Sequence, residues 1–182
     1  NLFGYPVVLK PNNEGSSFGV GVINSENEMI DGFANIFSFS NEAIAQPYLK
    51  GREMTCVVLD HGARGSEFTL LPTEIIPNAN DFFDYRAKYE NDEAEEITPP
   101  EDLPQHAINS LRRTALATHR LIGARSFSRT DMILDENGDI FVLEINTIPG
   151  LTEQSLLPKA AEASGIPFSK VLDKIIESSF GR

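Results

Sequence analysis

The 182-residue sequence has no tryptophan, a single cysteine, and only 15 basic residues against 27 acidic ones. With Cys56 alone, an internal disulfide and a Cys-rich zinc cluster are both excluded. No apolar run approaches the ~20 residues that a membrane span needs, so no membrane contact is expected and a cytoplasmic protein is the default. The opening NLFGYPVVLK lacks a cationic segment followed by a long apolar stretch, so no signal peptide is visible. It reads instead as a strand entered at once, the pattern of a chain cut from something longer or starting at a domain border. A net charge of −12 argues against non-specific contact with nucleic acid or anionic membrane, which attract through Lys and Arg patches. It leaves room for a phosphate ligand wherever local lysines and metal ions supply positive charge. Apolar content is ordinary, 41% hydrophobic and 9% aromatic, enough for the core of one domain or two small lobes.

Without repeats or low-complexity tracts, periodicity sets the organisation. Val7–Leu9 and Val20–Ile23 read as strands flanking NNEGSSFG. Met29, Ile30, Phe33, Ile36 and Phe37 recur at helical spacing, with Ser25 and Glu28 placed as a capping box. Met54–Leu59 and Phe68–Ile76 predict an antiparallel pair. Residues 77–100 are polar, acidic and aromatic without sustained periodicity, which predicts a long functional loop. A helix is predicted over Pro104–Ile122, closed by Gly123, and another on the stripe Phe168, Val171, Leu172, Ile175 and Ile176. Antiparallel strands with separate helices make an α+β pattern. His61, His106 and His119 share no metal spacing and read as surface or partly buried residues. Cys56, in an apolar strand, reads as a small core residue.

The most informative segment is SFSRTDMILDENGDIFVLEINTIPG, from Ser126 to Gly150. Asn137-Gly138 suits the centre of a two-residue type I′ hairpin turn, which needs positive φ at both positions. Residues equidistant from that centre pair, so Asp131 faces Glu144 and Arg129 faces Asn146. Alternation then puts all four on one face and leaves Phe141, Leu143 and Ile145 on the other, as core anchors. Opposed carboxylates repel unless a proton or cation intervenes. An all-oxygen set of Asp131, Glu144 and the Asn146 amide suits Mg²⁺ or Mn²⁺ and not zinc, with positions left for water or phosphates. The alternative is a solvated hairpin face with incidental acids. In LKPNNEGSSFG, Lys10 ends a strand, and Gly15, Ser16, Ser17 and Gly19 offer backbone N–H groups and hydroxyls to an anion. This is phosphate-binding chemistry but not a Walker A loop, because the GK[ST] ending is missing. Glycine and serine are also ordinary turn residues.

Taken together, YPVVLKPNNEGSSFGV, the GRE at Gly51–Glu53, FFDYRAKY at Phe82–Tyr89, the RTD at Arg129–Asp131 and LEINTIPGLTEQSLLPKAA from Leu143 resemble the D-alanine:D-alanine ligase family of the ATP-grasp superfamily. The resemblance implies an α+β ATP-grasp fold of antiparallel sheets with flanking helices. Residues 1–48 would end the central subdomain, and 49–182 would form the C-terminal lobe with an omega loop over 77–100 and a metal-binding hairpin over 126–150. By the same resemblance Lys10 matches the lysine on the nucleotide phosphates, and Ser16 and Ser17 the loop that closes over them. Gln46, Tyr48 and Leu49 match the adenine hinge, and Glu53 the acid on the ribose. Many members carry Glu where this chain has Gln46, so any side-chain contact to the adenine amino group would use an amide oxygen. Lys88 and Tyr89 match the omega-loop tip, the lysine reaching the γ-phosphate and the tyrosine covering the substrate. Tyrosines also commonly pin long loops by packing alone. Asp131, Glu144 and Asn146 match the ligands of two magnesium ions. Arg129 and the Gly150 N–H match the groups that stabilise the transition state, and Ser155 lies near the second amino acid's carboxylate.

The activity implied is ligation of two D-alanines through an acyl phosphate, for peptidoglycan precursors, with ATP and Mg²⁺ or Mn²⁺ as cofactors and a homodimer for the full-length protein. Lys88-Tyr89 favours the dipeptide over D-lactate as second substrate. The family's amino-terminal domain and the first part of its central domain have no counterpart here. Those parts carry a second nucleotide-contacting lysine and an acid for the first D-alanine's ammonium, so the chain alone is expected to bind Mg-ATP weakly, if at all, and to lack full activity. Two other readings stand beside this one: an ATP-grasp ligase for other substrates, such as D-alanine with D-lactate or D-serine, and a non-catalytic Mg-nucleotide-binding module.

Overall fold

The computed structural model describes residues 4–15, 17–61, 65–77 and 94–180. Ser16, Tyr85, Lys88 and Tyr89, and with them the central part of the predicted omega loop, lie outside the described residues. The chain divides into two compact units, one built on residues up to Leu49 and the other on Lys50–Ile76 and from Glu96 onward.

In the first unit β1 (Val7–Pro11) lies between β2 (Gly21–Ile23) and β3 (Ala43–Pro47), antiparallel to both. Helix α1 (Glu26–Ile36) packs on one face, burying Val7, Leu9, Ile23 and Ile36 with Met29 and Phe33 against them. One half of the predicted capping box forms, with Ser25 Oγ accepting from the Glu28 N–H at 3.3 Å, while the Glu28 carboxylate reaches one residue further back and accepts from the Asn24 N–H at 2.8 Å. The strand period of two then leaves Val8, Lys10 and their partners Gln46 and Ile44 on the opposite face.

The second unit is a sheet in the order β7 (Glu95–Ile97), β6 (Thr73–Ile76), β4 (Arg52–Leu59), β8 (Phe127–Leu134), β9 (Ile140–Asn146), with short β5 (Phe68–Thr69) also on β4. Helix α2 (Gln105–Leu121) covers one face. Its Leu111 and Ala115 pack on Met54, Cys56, Val58, Met132 and Leu134, a cluster of residues at most 5% exposed. Burial pushes the Cys56 thiol up to about 12, as befits a core residue. Helices α3 (Leu156–Ala163) and α4 (Phe168–Phe180) cover the other face only at its Val57, Leu59 and Phe127 end. The same face also carries Glu53, Thr55, Arg129 and Asp131.

Two expectations need correction, and one helix was missed. Residues 95–97 form β7, an edge strand beside β6, so the predicted loop does not extend to Pro100; a run of three residues is too short to show a period of two. His119 is 1% exposed, not a surface residue: α2 presses it onto β8, where its Nδ1 lies 2.7 Å from Ser128 Oγ. Helix α3 was not legible as a helix because Pro158 interrupts the pattern, yet Pro158 occupies its first turn, where a missing N–H costs little.

The GRE segment has a structural explanation for its glycine. A Cβ on Gly51 would fall on the Leu134 carbonyl and 2.6 Å from Ile133 Cγ2, so only glycine lets the chain enter β4 against β8. Arg52 next to it clamps Glu74 through Nε at 2.6 Å and Nη2 at 2.5 Å, and reaches the Glu101 carbonyl at 2.9 Å. Gly51→Ala is expected to cost about 2–3 kcal/mol by overpacking against backbone, lowering the melting temperature by roughly 5–10 °C. Thermal unfolding followed by circular dichroism checks this, and an unchanged melting temperature would contradict the close approach.

Candidate active site

The hairpin brings the predicted residues together by a different route from the expected one. Asp131 pairs with Glu144 and Arg129 with Asn146, but Met132 pairs with Val142 and Leu134 with Ile140. The turn is not a two-residue type I′ turn: Gly138 has φ +86°, whereas Asn137 is not among the positive-φ residues. The Gly138 N–H donates to the Asp135 carbonyl at 3.1 Å and the Asp135 N–H to the Asp139 carbonyl at 3.0 Å, defining a three-residue loop, Glu136–Gly138. Such a loop alone would set Leu143 opposite Asp131 and turn Glu144 to the α2 face. A β-bulge at Leu143 inserts one residue and restores the carboxylate pair. The three-residue loop, on the near side of the bulge, overturns the placement of Phe141 as a core anchor. It pairs with Ile133, so it shares the site face and is 39% exposed. Ile140, opposite Leu134, packs against the core in its place.

Asp131 is held from two sides. Arg129 donates from Nε to Oδ1 at 2.8 Å and from Nη2 to Oδ2 at 2.7 Å, while Thr55 Oγ1, from the neighbouring strand, donates to Oδ1 at 2.6 Å. The Arg129 and Asp131 side chains are only 19% and 13% exposed. Burial would lower the Arg129 pKa, but Asp131, Glu144 and Glu53 together raise it above its ordinary value, so it is a permanent cation. Glu144 is exposed, and Asn146 Oδ1 accepts the Ile148 N–H at 3.0 Å. A carboxylate or amide oxygen has two lone-pair directions. Asp131 Oδ1 is filled by its two donors, whereas Asp131 Oδ2 and Asn146 Oδ1 each keep one. With Glu144 these make a hard-oxygen set that fits Mg²⁺ or Mn²⁺. Among the described residues no three His, Cys, Asp or Glu side chains are placed to hold a metal ion by themselves, so a third protein oxygen would come from the Asn146 amide.

The remaining predicted residues fall as follows. Glu53 lies two residues from Thr55 on β4 and contributes to the charge felt by Arg129, so it belongs to this face. Gly150 and Ser155 are close: a Cβ on Gly150 would stand 2.6 Å from Ser155 Oγ, which also pairs with Thr152 Oγ1 at 2.8 Å. Ser155 is the N-cap residue of α3. In the first unit, half-buried Lys10 and Gln46 share the face away from α1. Tyr48 donates its N–H to the Pro6 carbonyl at 3.3 Å, and Leu49 ends the unit. Ser17 has φ +58° and accepts at its carbonyl from the Val20 N–H, in a loop that Phe18 ties to Phe39 edge-to-face at 4.8 Å. The residue that sequence reasoning missed is Thr55. Its only signal was its place two residues after Glu53, which puts it on the same face of β4.

Two antiparallel β units, one carrying Lys10 beside a glycine-serine loop and the other an acidic hairpin face with one arginine, define an α+β protein of ATP-grasp fold. The family model described as D-ala D-ala ligase C-terminus matches residues 1–177, and the chain belongs to that family. D-alanine–D-alanine ligase A of Bacillus cereus is 40% identical over 176 residues, covering 97% of this chain and 55% of the relative. The structure of VanG D-Ala:D-Ser ligase from Enterococcus faecalis superposes with a TM-score of 0.83 at 31% identity, covering 95% of this chain and 49% of that one. D-alanine–D-alanine ligase from Bacillus anthracis complexed with ATP superposes with a TM-score of 0.76 at 36% identity, covering 97% and 54%. The chain thus spans about half the length of the relatives it matches. No helix among the described residues is long and apolar enough to cross a membrane.

Proposed function

We propose that this chain is the catalytic portion of an ATP-dependent ligase that joins two D-alanines into D-alanyl-D-alanine for peptidoglycan precursor synthesis. The observation that carries the reading is the convergence of Arg129, Asp131, Glu144 and Asn146 on one sheet face, in a chain 40% identical to a named D-alanine–D-alanine ligase. A carboxylate oxygen of one D-alanine attacks the γ-phosphorus of ATP and ADP departs. The amine of the second D-alanine then attacks the acyl carbon, the bond to phosphate breaks, and the amine proton passes to solvent.

Phosphoryl transfer asks the protein for positioning and charge neutralisation more than for covalent chemistry. Asp131, Glu144 and Asn146 would hold two Mg²⁺ or Mn²⁺ ions, which when bound neutralise phosphate charge. Lys10 and Lys88 offset more of it, and Ser16 and Ser17 donate to phosphate oxygens. Gln46, Tyr48 and Leu49 hold adenine, and Glu53 accepts from the ribose hydroxyls. Arg129 with the Gly150 N–H faces the oxyanion of the tetrahedral intermediate, where donors are worth most. Ser155 orients the second carboxylate, and Tyr89 covers the site and excludes water that would hydrolyse the acyl phosphate. On this reading the full-length protein is a cytoplasmic homodimer that takes ATP and D-alanine as its small-molecule partners.

Phosphate release by the full-length protein, measured with D-alanine alone and with D-lactate or D-serine added as second substrate, tests the reading. Release that depends on D-alanine and yields the dipeptide is the expected result. A preference for D-serine, suggested by the VanG superposition, would change the second substrate and keep the chemistry. ATP turnover with none of the three would overturn the reading. The 182 residues alone are expected to release no D-alanine-dependent phosphate.

A further inference from the structure

Thr55 is 2% exposed in the middle of β4, directly opposite Asp131 on β8, and its hydroxyl carries one proton. Two acceptors lie within reach, the Asp131 Oδ1 at 2.6 Å and the Thr130 carbonyl at 3.3 Å, so the carboxylate receives it. Apolar contacts alone would be met by valine at this position, with Met54, Cys56, Val57 and Val58 around it in sequence. A buried hydroxyl aimed at a carboxylate is therefore a choice that packing does not explain. Its consequence follows from lone-pair accounting: with Arg129 Nε it fills both acceptor directions of Oδ1 and fixes the carboxylate plane, while Oδ2 keeps one direction open.

Resting on the metal-dependent reading above, we propose that Thr55 is a positioning residue that dedicates Asp131 Oδ1 to the protein and presents Oδ2 as a single-oxygen ligand to the divalent cation. Without that donor Arg129 would hold the carboxylate by its fork alone, and Oδ1 would keep one acceptor direction open to compete for the cation. Partners of this kind tune metal affinity by about 10–100-fold when removed.

The test uses full-length protein with Mn²⁺ as probe, bound in the presence of a non-hydrolysable ATP analogue and followed by electron paramagnetic resonance. Thr55→Val is expected to raise the Mn²⁺ dissociation constant about tenfold and to raise by a similar factor the Mg²⁺ concentration for half-maximal turnover, with the KM for D-alanine unchanged. Thr55→Ser should restore both, because it keeps the hydroxyl. In an Asp131→Asn background, Thr55→Val should add less than a twofold change. Should Thr55→Val fail to fold, Thr55→Ala, which leaves space instead of a methyl against the carboxylate, is measured in its place. A dissociation constant within twofold of wild type in the folded variant, or Thr55→Ser behaving like Thr55→Val, would overturn the positioning role while the metal site stood. Wild-type protein with no saturable Mn²⁺ site would overturn the metal reading and this role with it.

Discussion

On the proposed reading, Glu144→Gln is expected to lower magnesium-dependent turnover of the full-length protein by at least about a thousandfold, roughly 4 kcal/mol of lost transition-state stabilisation, while its melting temperature stays where it was. Glutamine keeps the shape and one carbonyl oxygen but removes the negative charge and the second ligand oxygen. Glu144 is exposed on β9, and exposed substitutions change stability by about 0.5 kcal/mol or less. The two readouts therefore separate. A loss of turnover with an intact fold assigns the effect to the cation, whereas turnover within tenfold of wild type would return the hairpin to a solvated acidic face. The experiment is phosphate release against Mg²⁺ concentration, paired with thermal unfolding.

Arg129→Met has two expected consequences with one cause. Arg129 is the cation on which the charges of Asp131, Glu144 and Glu53 all act. Removing it leaves a carboxylate 13% exposed without its bidentate partner. Breaking a buried pair in this way costs about 3 kcal/mol, the lower end of the usual span because the pair is not fully desolvated. For a protein of this size that is a drop of roughly 6–12 °C in melting temperature. If the same guanidinium faces the oxyanion, turnover falls about 10²–10³-fold as well. Millimolar Mg²⁺ should recover part of the melting temperature, since a divalent cation among the same carboxylates replaces the missing charge, and should recover none of the turnover. Full recovery of turnover by Mg²⁺ would show that Arg129 serves only to hold Asp131. Arg129→Lys should be intermediate in stability, because a point charge cannot make the fork.

Residues with a regular local pattern were legible in advance. The α1 N-cap at Ser25, the Pro104–Ile122 helix and the strand pair around β4 depend on spacing within a few residues, and spacing is what a sequence displays. The pairing of Asp131 with Glu144 was also predicted, but through a turn that does not form. A three-residue loop and a bulge at Leu143 shift the register in opposite senses and cancel at the carboxylates. Between those two irregularities they do not cancel, and that is where Phe141 was misplaced. Asp135 shows why the turn escaped notice. Its side chain accepts from the Asn137 and Asp139 N–H groups at 2.9 and 2.8 Å, a local bond that stabilises the longer loop in competition with the Asn-Gly preference.

By itself the sequence determined which chemistry was available: hard oxygen ligands instead of thiolates, one arginine among acids, and a lysine beside a glycine-serine loop. The tertiary structure alone decided which of those groups act on one another. Thr55 meets Asp131 across 76 residues of chain only because β4 and β8 are neighbours. Helices α3 and α4 pack on the Val57 and Leu59 part of the face that also carries Asp131. His119, unremarkable in sequence, becomes core because α2 presses it onto Ser128. Local preferences fix elements one at a time, whereas strand order, a single inserted residue and the choice of which face a helix covers arise from contacts between segments distant in the chain. Of the acids with which the sequence began, Glu53, Asp131 and Glu144, far apart in the chain, come to act on a single cation, Arg129.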